Sequence, residues 1–62
     1  MNKRFEIVLK EVQGPWQAVV DKRPTLRGAM GAADDWHSRI VRAGRLGKEQ
    51  VIITEEEGKD EN

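Results

Sequence analysis

The only histidine of the chain, His37, lies in the run Asp34-Asp35-Trp36-His37-Ser38, which holds the residue types of a nucleophilic triad. Such a relay needs the imidazole within hydrogen-bond reach of both the hydroxyl and the carboxylate. The run has helical periodicity. Asp34 and Ser38 are neighbours one turn apart, but His37 stands about 100° round from Ser38, so the spacing assembles no triad. Asp34 and Asp35 diverge by the same angle and cannot share a proton or a metal ion. With no cysteine anywhere, thiolate chemistry, disulfides and Cys/His zinc clusters are excluded. The expectation is a protein without catalytic residues, metal ligands or a cofactor site, in which His37 flanks the core and Asp35 pairs with Arg39 at i+4.

Binding chemistry is better represented. Gly28-Ala29-Met30-Gly31 has the G-x-x-G spacing of a nucleic-acid backbone clamp, but its middle residues are apolar where a clamp needs basic ones. Those glycines, together with the alanines among them, are read as letting the start of a helix approach a sheet. Arg39, Arg42 and Arg45 recur every three residues, and with Arg27 and Lys48 they are expected to form a stripe along the outward side of the helix and its exit. Guanidinium forks engage carboxylates or phosphates, so the stripe suits an acidic protein surface or a nucleic acid. A pI near 6.6 favours the protein. The leading expectation is a small protein-binding module, an inhibitor or adaptor that covers a surface of a larger protein. Size alone likens it to the products of phages and mobile elements. The alternative is a DNA- or RNA-binding regulator using the same arginines.

These residues must be positioned by very few elements. Phe5, Ile7 and Leu9 alternate with Glu6, Val8 and Lys10 in the run from Lys3 to Val12, and Trp16, Ala18 and Val20 alternate with Gln17, Val19 and Asp21 in the run from Trp16 to Asp21, the period of a strand. The intervening Gln13-Gly14-Pro15 makes the pair a hairpin. Thr25 can cap a helix that starts at Leu26, with Leu26, Ala29, Met30, Ala33, Trp36, His37, Ile40 and Val41 on one side and Gly44 and Gly47 as the stop. Gln50–Thr54 is a third, β-branched strand. The fold class is α+β: a two-layer ββαβ domain, a three-stranded antiparallel sheet of order 2-1-3 with one helix packed on one face.

In that arrangement Phe5, Ile7, Leu9, Trp16, Ala18, Val20, Val51 and Ile53 meet the helix. The opposite face shows Glu6, Val8, Lys10, Val12, Gln17, Val19, Asp21, Ile52 and Thr54. Val8, Val12, Val19 and Ile52 are therefore an expected interface, covered by a protein partner or by a second copy in a homodimer. The glutamates after the third strand protect that edge, leaving the second strand as the more open one.

The chain has 62 residues, enough for one small core, expected over residues 1–54. Charge is balanced overall but not locally. Residues 1–48 hold ten basic groups against five acidic, and residues 49–62 one against six. Residues 55–62 read as an acidic, solvated tail able to fold back onto the arginines. No run of 18 apolar residues occurs, so no membrane association is expected and the cytoplasm is the expected compartment.

Overall fold

Alternation in the first third of the chain produces β1 (Lys3–Glu11) and β2 (Gln17–Arg23), and the two later segments form α1 (Leu26–Arg42) and β3 (Glu49–Glu57). The computed structural model describes residues 3–57. The sheet is antiparallel in the order β2-β1-β3, with α1 against one face. This is the expected ββαβ architecture. Among the described residues no helix is long and apolar enough to cross a membrane.

Both helix ends are built by local chemistry. The Thr25 hydroxyl accepts the Gly28 N–H at 3.1 Å and so satisfies one of the donors left open at a helix start. At the other end Arg45 N–H donates to Ile40 carbonyl and Gly44 N–H to Val41 carbonyl, both at 3.0 Å. Gly44 makes this Schellman closure with φ 71°, a conformation a side chain disfavours.

The core is small and lies where the alanines of α1 meet the central strand. Ile7, Ala29 and Ala32 are buried together, with Phe5, Val20, Ala33, Trp36, Val51 and Ile53 packed partly against them. Short side chains at positions 29 and 32 let the helix lie close to the sheet. The wheel places Ala32 outside the apolar stripe, yet it is buried, while Leu26 and Met30, expected in the core, are exposed. A helix set off-centre over three strands covers one flank better than the other, and these residues fall on either side of that division. The alanines make the approach together with Gly28, where a Cβ would lie 3.7 Å from that of Arg23; Gly31 takes no part, because a Cβ there would meet nothing within 4 Å.

Strict alternation also fails in β2. Ile7 pairs with Asp21 but Val8 with Val19, leaving Val20 as the extra residue of a bulge. The bulge returns Asp21 to the Ile7 side of the pairing, where alternation had put it on the outer face, and carries β2 on to Arg23. Trp16 precedes the strand and is half exposed rather than part of the core.

β3 extends further than its β-branched centre. Glu55–Glu57, expected to begin a tail, continue the strand, because the start of β1 offers it backbone partners: the register runs on through Phe5↔Glu55 and Arg4↔Glu56 to Lys3↔Glu57. Residues 58–62 of the expected tail lie outside the described residues.

Candidate functional site

The outer face of the sheet is organised in rows that cross all three strands. Val8 pairs with Val19 on β2 and with Ile52 on β3, so the three side chains form one apolar row. On one side lies the row Lys22, Glu6 and Thr54, and on the other Gln17, Lys10 and Gln50. Val8 is only 5% exposed although no second layer covers it, because its neighbours in the row flank it, whereas Val19 at the β2 edge is 48% exposed. The row forms the floor of a depression of about 200 Å³, bordered by Glu6, Gln17 and Thr54.

A polar network closes one end of this face. Lys22 Nζ reaches Glu6 at 3.8 Å and Glu56 at 3.9 Å, and the Thr54 hydroxyl donates to Glu6 Oε1 at 3.5 Å. These are solvent-accessible contacts, worth little as stabilisers individually. They hold three charged groups of alternating sign beside an apolar floor. Val12, expected in the same patch, stands apart: it lies beyond the Lys10 row, half exposed, with its N–H donating to the Lys48 carbonyl at 3.0 Å.

The basic residues do not form the expected single stripe. Arg39 lies over the Trp36 ring, 4.8 Å from its centroid, a cation–π contact that occupies its guanidinium. It makes no ion pair with Asp35, the partner that i,i+4 spacing suggested. Arg45 is held in an ion pair with Glu49, which its own turn brings back beneath it. Arg27 and Arg42 are exposed near opposite ends of α1, about 22 Å apart along the axis at 1.5 Å per residue. Lys48 is exposed in the turn before β3. The arginines therefore stand on the far side of the domain from Val8, Val19 and Ile52. One flat partner surface cannot touch both sets.

His37, Asp34, Asp35 and Ser38 are exposed on the helix surface and point in successive directions. A second depression, of about 240 Å³, lies between the hairpin loop and the turn before β3, lined by Glu11, Gln13, Gly14, Gly47 and Lys48. The Glu11 carboxylate there accepts the Trp16 N–H at 3.4 Å and is engaged in closing the loop.

Comparison with protein-family models, curated proteins and solved structures yields no match. The case for function therefore rests on the outer face. Sequence reasoning found its apolar members by alternation but missed the Lys22, Glu6 and Glu56 network. The signal was present: Glu6 is two residues before Val8, and Lys22 is the charged residue just after the second apolar strand. Only the bulge at Val20 brings Lys22 onto the same face as Glu6.

Proposed function

We propose that this chain is a non-enzymatic protein-binding module, an inhibitor or adaptor, that docks through the outer face of its sheet. The observation that carries this reading is the Val19–Val8–Ile52 row, an apolar floor set between polar rows and closed at one end by Lys22, Glu6 and Glu56. An apolar centre with a polar rim is the general anatomy of a protein–protein contact. The charged network orients the partner, the role the sequence assigns to the arginines. Apolar residues supply the area, and an inserted side chain of the partner fills the depression above Val8.

The test is affinity capture from the native host with three immobilised forms of the full chain: wild type, Val19→Glu and Arg27→Glu/Arg42→Glu. Val19 is half exposed at a sheet edge, so its replacement alters the face and spares the fold. A protein held by wild type and the arginine variant, and lost on Val19→Glu, is the expected result. Retention by all three forms would remove the outer face from the mechanism. Capture of nucleic acid, lost on the arginine variant and falling steeply with salt, would move the function to the helix side.

A further inference from the structure

Charge on the outer face divides unevenly along the strands. Every second residue of β1 from Arg4 to Lys10 lies on that face, with its register partners on β2 and β3. At one end Arg4 lies beside Glu56, and Lys22 approaches Glu6 at 3.8 Å and Glu56 at 3.9 Å, so two cations stand with two carboxylates. Across the Val19–Val8–Ile52 row the balance is lost. There Lys10 stands between Gln17 and Gln50, and Lys48 ends the face with its carbonyl accepting the Val12 N–H at 3.0 Å. The acids nearest in sequence are turned to the helix side by strand alternation and are engaged there: Glu11 accepts the Trp16 N–H, and Glu49 pairs with Arg45. Asp21 and Arg23 also leave the outer face, because the Val20 bulge sets them opposite Ile7 and Phe5. This end therefore carries two cations and no carboxylate.

Lys10 decides what can cover the row. It is half-buried, its row neighbours are neutral amides, and among the described residues neither it nor Lys48 makes an ion pair. At about 3.4 Å per residue it stands only about 7 Å from Val8 along β1, so anything seated on Val8 reaches it. Removing the remaining water from an ammonium is costly unless an opposite charge replaces it. A neutral or basic occupant would bury Lys10 without a partner, whereas a carboxylate would give it one. The depression over Val8, about 200 Å³, is smaller than the roughly 300–1,000 Å³ of small-molecule sites and suits one large apolar side chain.

Resting on the outer face as the docking surface, we propose that its occupant is an acidic segment of another protein. One large apolar side chain of that segment sits over Val8, and carboxylates two and four residues further along an extended chain, about 7 and 14 Å away, meet Lys10 and then Lys48. The opposite direction is unfavourable, because the carboxylates would then lie over Glu6 and Glu56. Charge thus fixes the direction of the segment and the valine row fixes its position.

Amide shifts of the isotope-labelled full chain, titrated with capped synthetic probes, test the proposal. The probes are the peptides Leu-Thr-Glu-Thr-Glu, Leu-Thr-Lys-Thr-Lys and Ala-Thr-Glu-Thr-Glu, and a single-stranded oligothymidine. The first should move the Val8, Lys10 and Ile52 amides and bind more tightly than the others. Lys10→Gln should weaken it about two- to fivefold, the factor for one screened ion pair. Lys10→Glu/Lys48→Glu should reverse the preference, so that the lysine peptide binds in place of the glutamate one, and Val19→Glu should lose both. Equal binding of the two leucine peptides, or a preference unchanged by the lysine reversal, would overturn the acidic occupant and leave docking on this face intact. Shifts confined to α1, or binding indifferent to Val19→Glu, would overturn the docking reading as well. Tighter binding of oligothymidine at Lys10, outer-face shifts that grow with chain concentration alone, or no shift at millimolar peptide would each overturn the proposal.

Discussion

Ile7 and Val8 are consecutive residues of the central strand, 0% and 5% exposed, and they reach that state by different means. Ile7 lies under α1, enclosed by Ala29 and Ala32 in a layer the chain itself supplies. Val8 has no layer above it and is screened sideways by Val19 and Ile52. Surface area scores the two almost alike, but enclosure does not. Dispersion contacts accumulate with the number of atoms around a side chain, and Ile7 has neighbours on the side where Val8 has a depression of about 200 Å³. One face of the sheet is finished within the chain, and the other retains an unfilled apolar floor.

The largest test of that difference is Ile7→Ala. Truncation of an enclosed isoleucine costs about 2–5 kcal/mol. In a domain of this size each kcal/mol moves the thermal midpoint by roughly 4–8 °C, so the variant should lose most of its cooperative melting transition by circular dichroism. Val8→Ala should cost clearly less in the same experiment. Equal losses would break the comparison, because they would mean that lateral screening packs Val8 as well as the helix packs Ile7.

Threonine substitution sharpens the point: Val8→Thr keeps the side-chain shape, whereas Ile7→Thr also removes a methyl group. At position 7 the hydroxyl is taken into an apolar site, which costs about 1–3 kcal/mol in addition to the lost methyl group. At position 8 the hydroxyl opens on water, so Val8→Thr should lose less than about 1 kcal/mol in urea titration, with an unchanged slope. The same variant should weaken partner capture more than it weakens the fold. A loss at position 8 matching that at position 7 would show that the depression is dry and already closed.

Thr25 acts on one face alone. Thr25→Ala removes the bond to the Gly28 N–H at a cost of about 1 kcal/mol. Amide exchange should then quicken in the first turn of α1, while Val8 and Ile52 keep their protection because their ladder bonds lie within the sheet. Uniform quickening across the molecule would mean that helix and sheet open as one unit and that the two faces share their stability.

Most of this architecture was legible in the residues. Period-two and period-3.6 patterns locate every element, Thr25 and Gly44 fix the helix ends, and strand–strand–helix–strand order leaves few topologies. What the patterns could not show is lateral position. A helical wheel centred on apolar content points Leu26 and Met30 at the sheet, whereas contact is made by the small Ala29 and Ala32, which carry little weight in such a count. Likewise no local signal marks Val20 as a bulge, and from there every side chain to Arg23 changes face. The three glutamates read as a tail because their own propensity is weak. Their strand is set by backbone pairing with the start of β1, some fifty positions earlier. The outer apolar row followed from alternation alone, but its separation from the arginines needed the third dimension.

Asp21 marks the point where the two faces exchange residues, and it offers the smallest and most specific test. The Arg23 guanidinium, bonded at 3.0 and 3.2 Å, and then the Lys22 N–H, at 2.8 Å, hold the Asp21 carboxyl below its ordinary range, against a small opposing effect of burial. A carboxyl whose folded value is lowered contributes stability that is fully present above its unfolded value, about 3.9, and is lost as pH falls through the folded value. Because the group is solvent-accessible the increment is small. Wild type should therefore melt slightly above Asp21→Asn at neutral pH, and the gap should close as the pH falls through the lowered folded value. The bulge itself should survive, since Asn keeps an acceptor for the Lys22 N–H, so the Val8 to Val19 pairing and partner capture should be unchanged. A gap that persists in acid would mean that Asp21 stabilises the bulge by shape rather than charge, and that the register change between the two faces is built by the backbone alone.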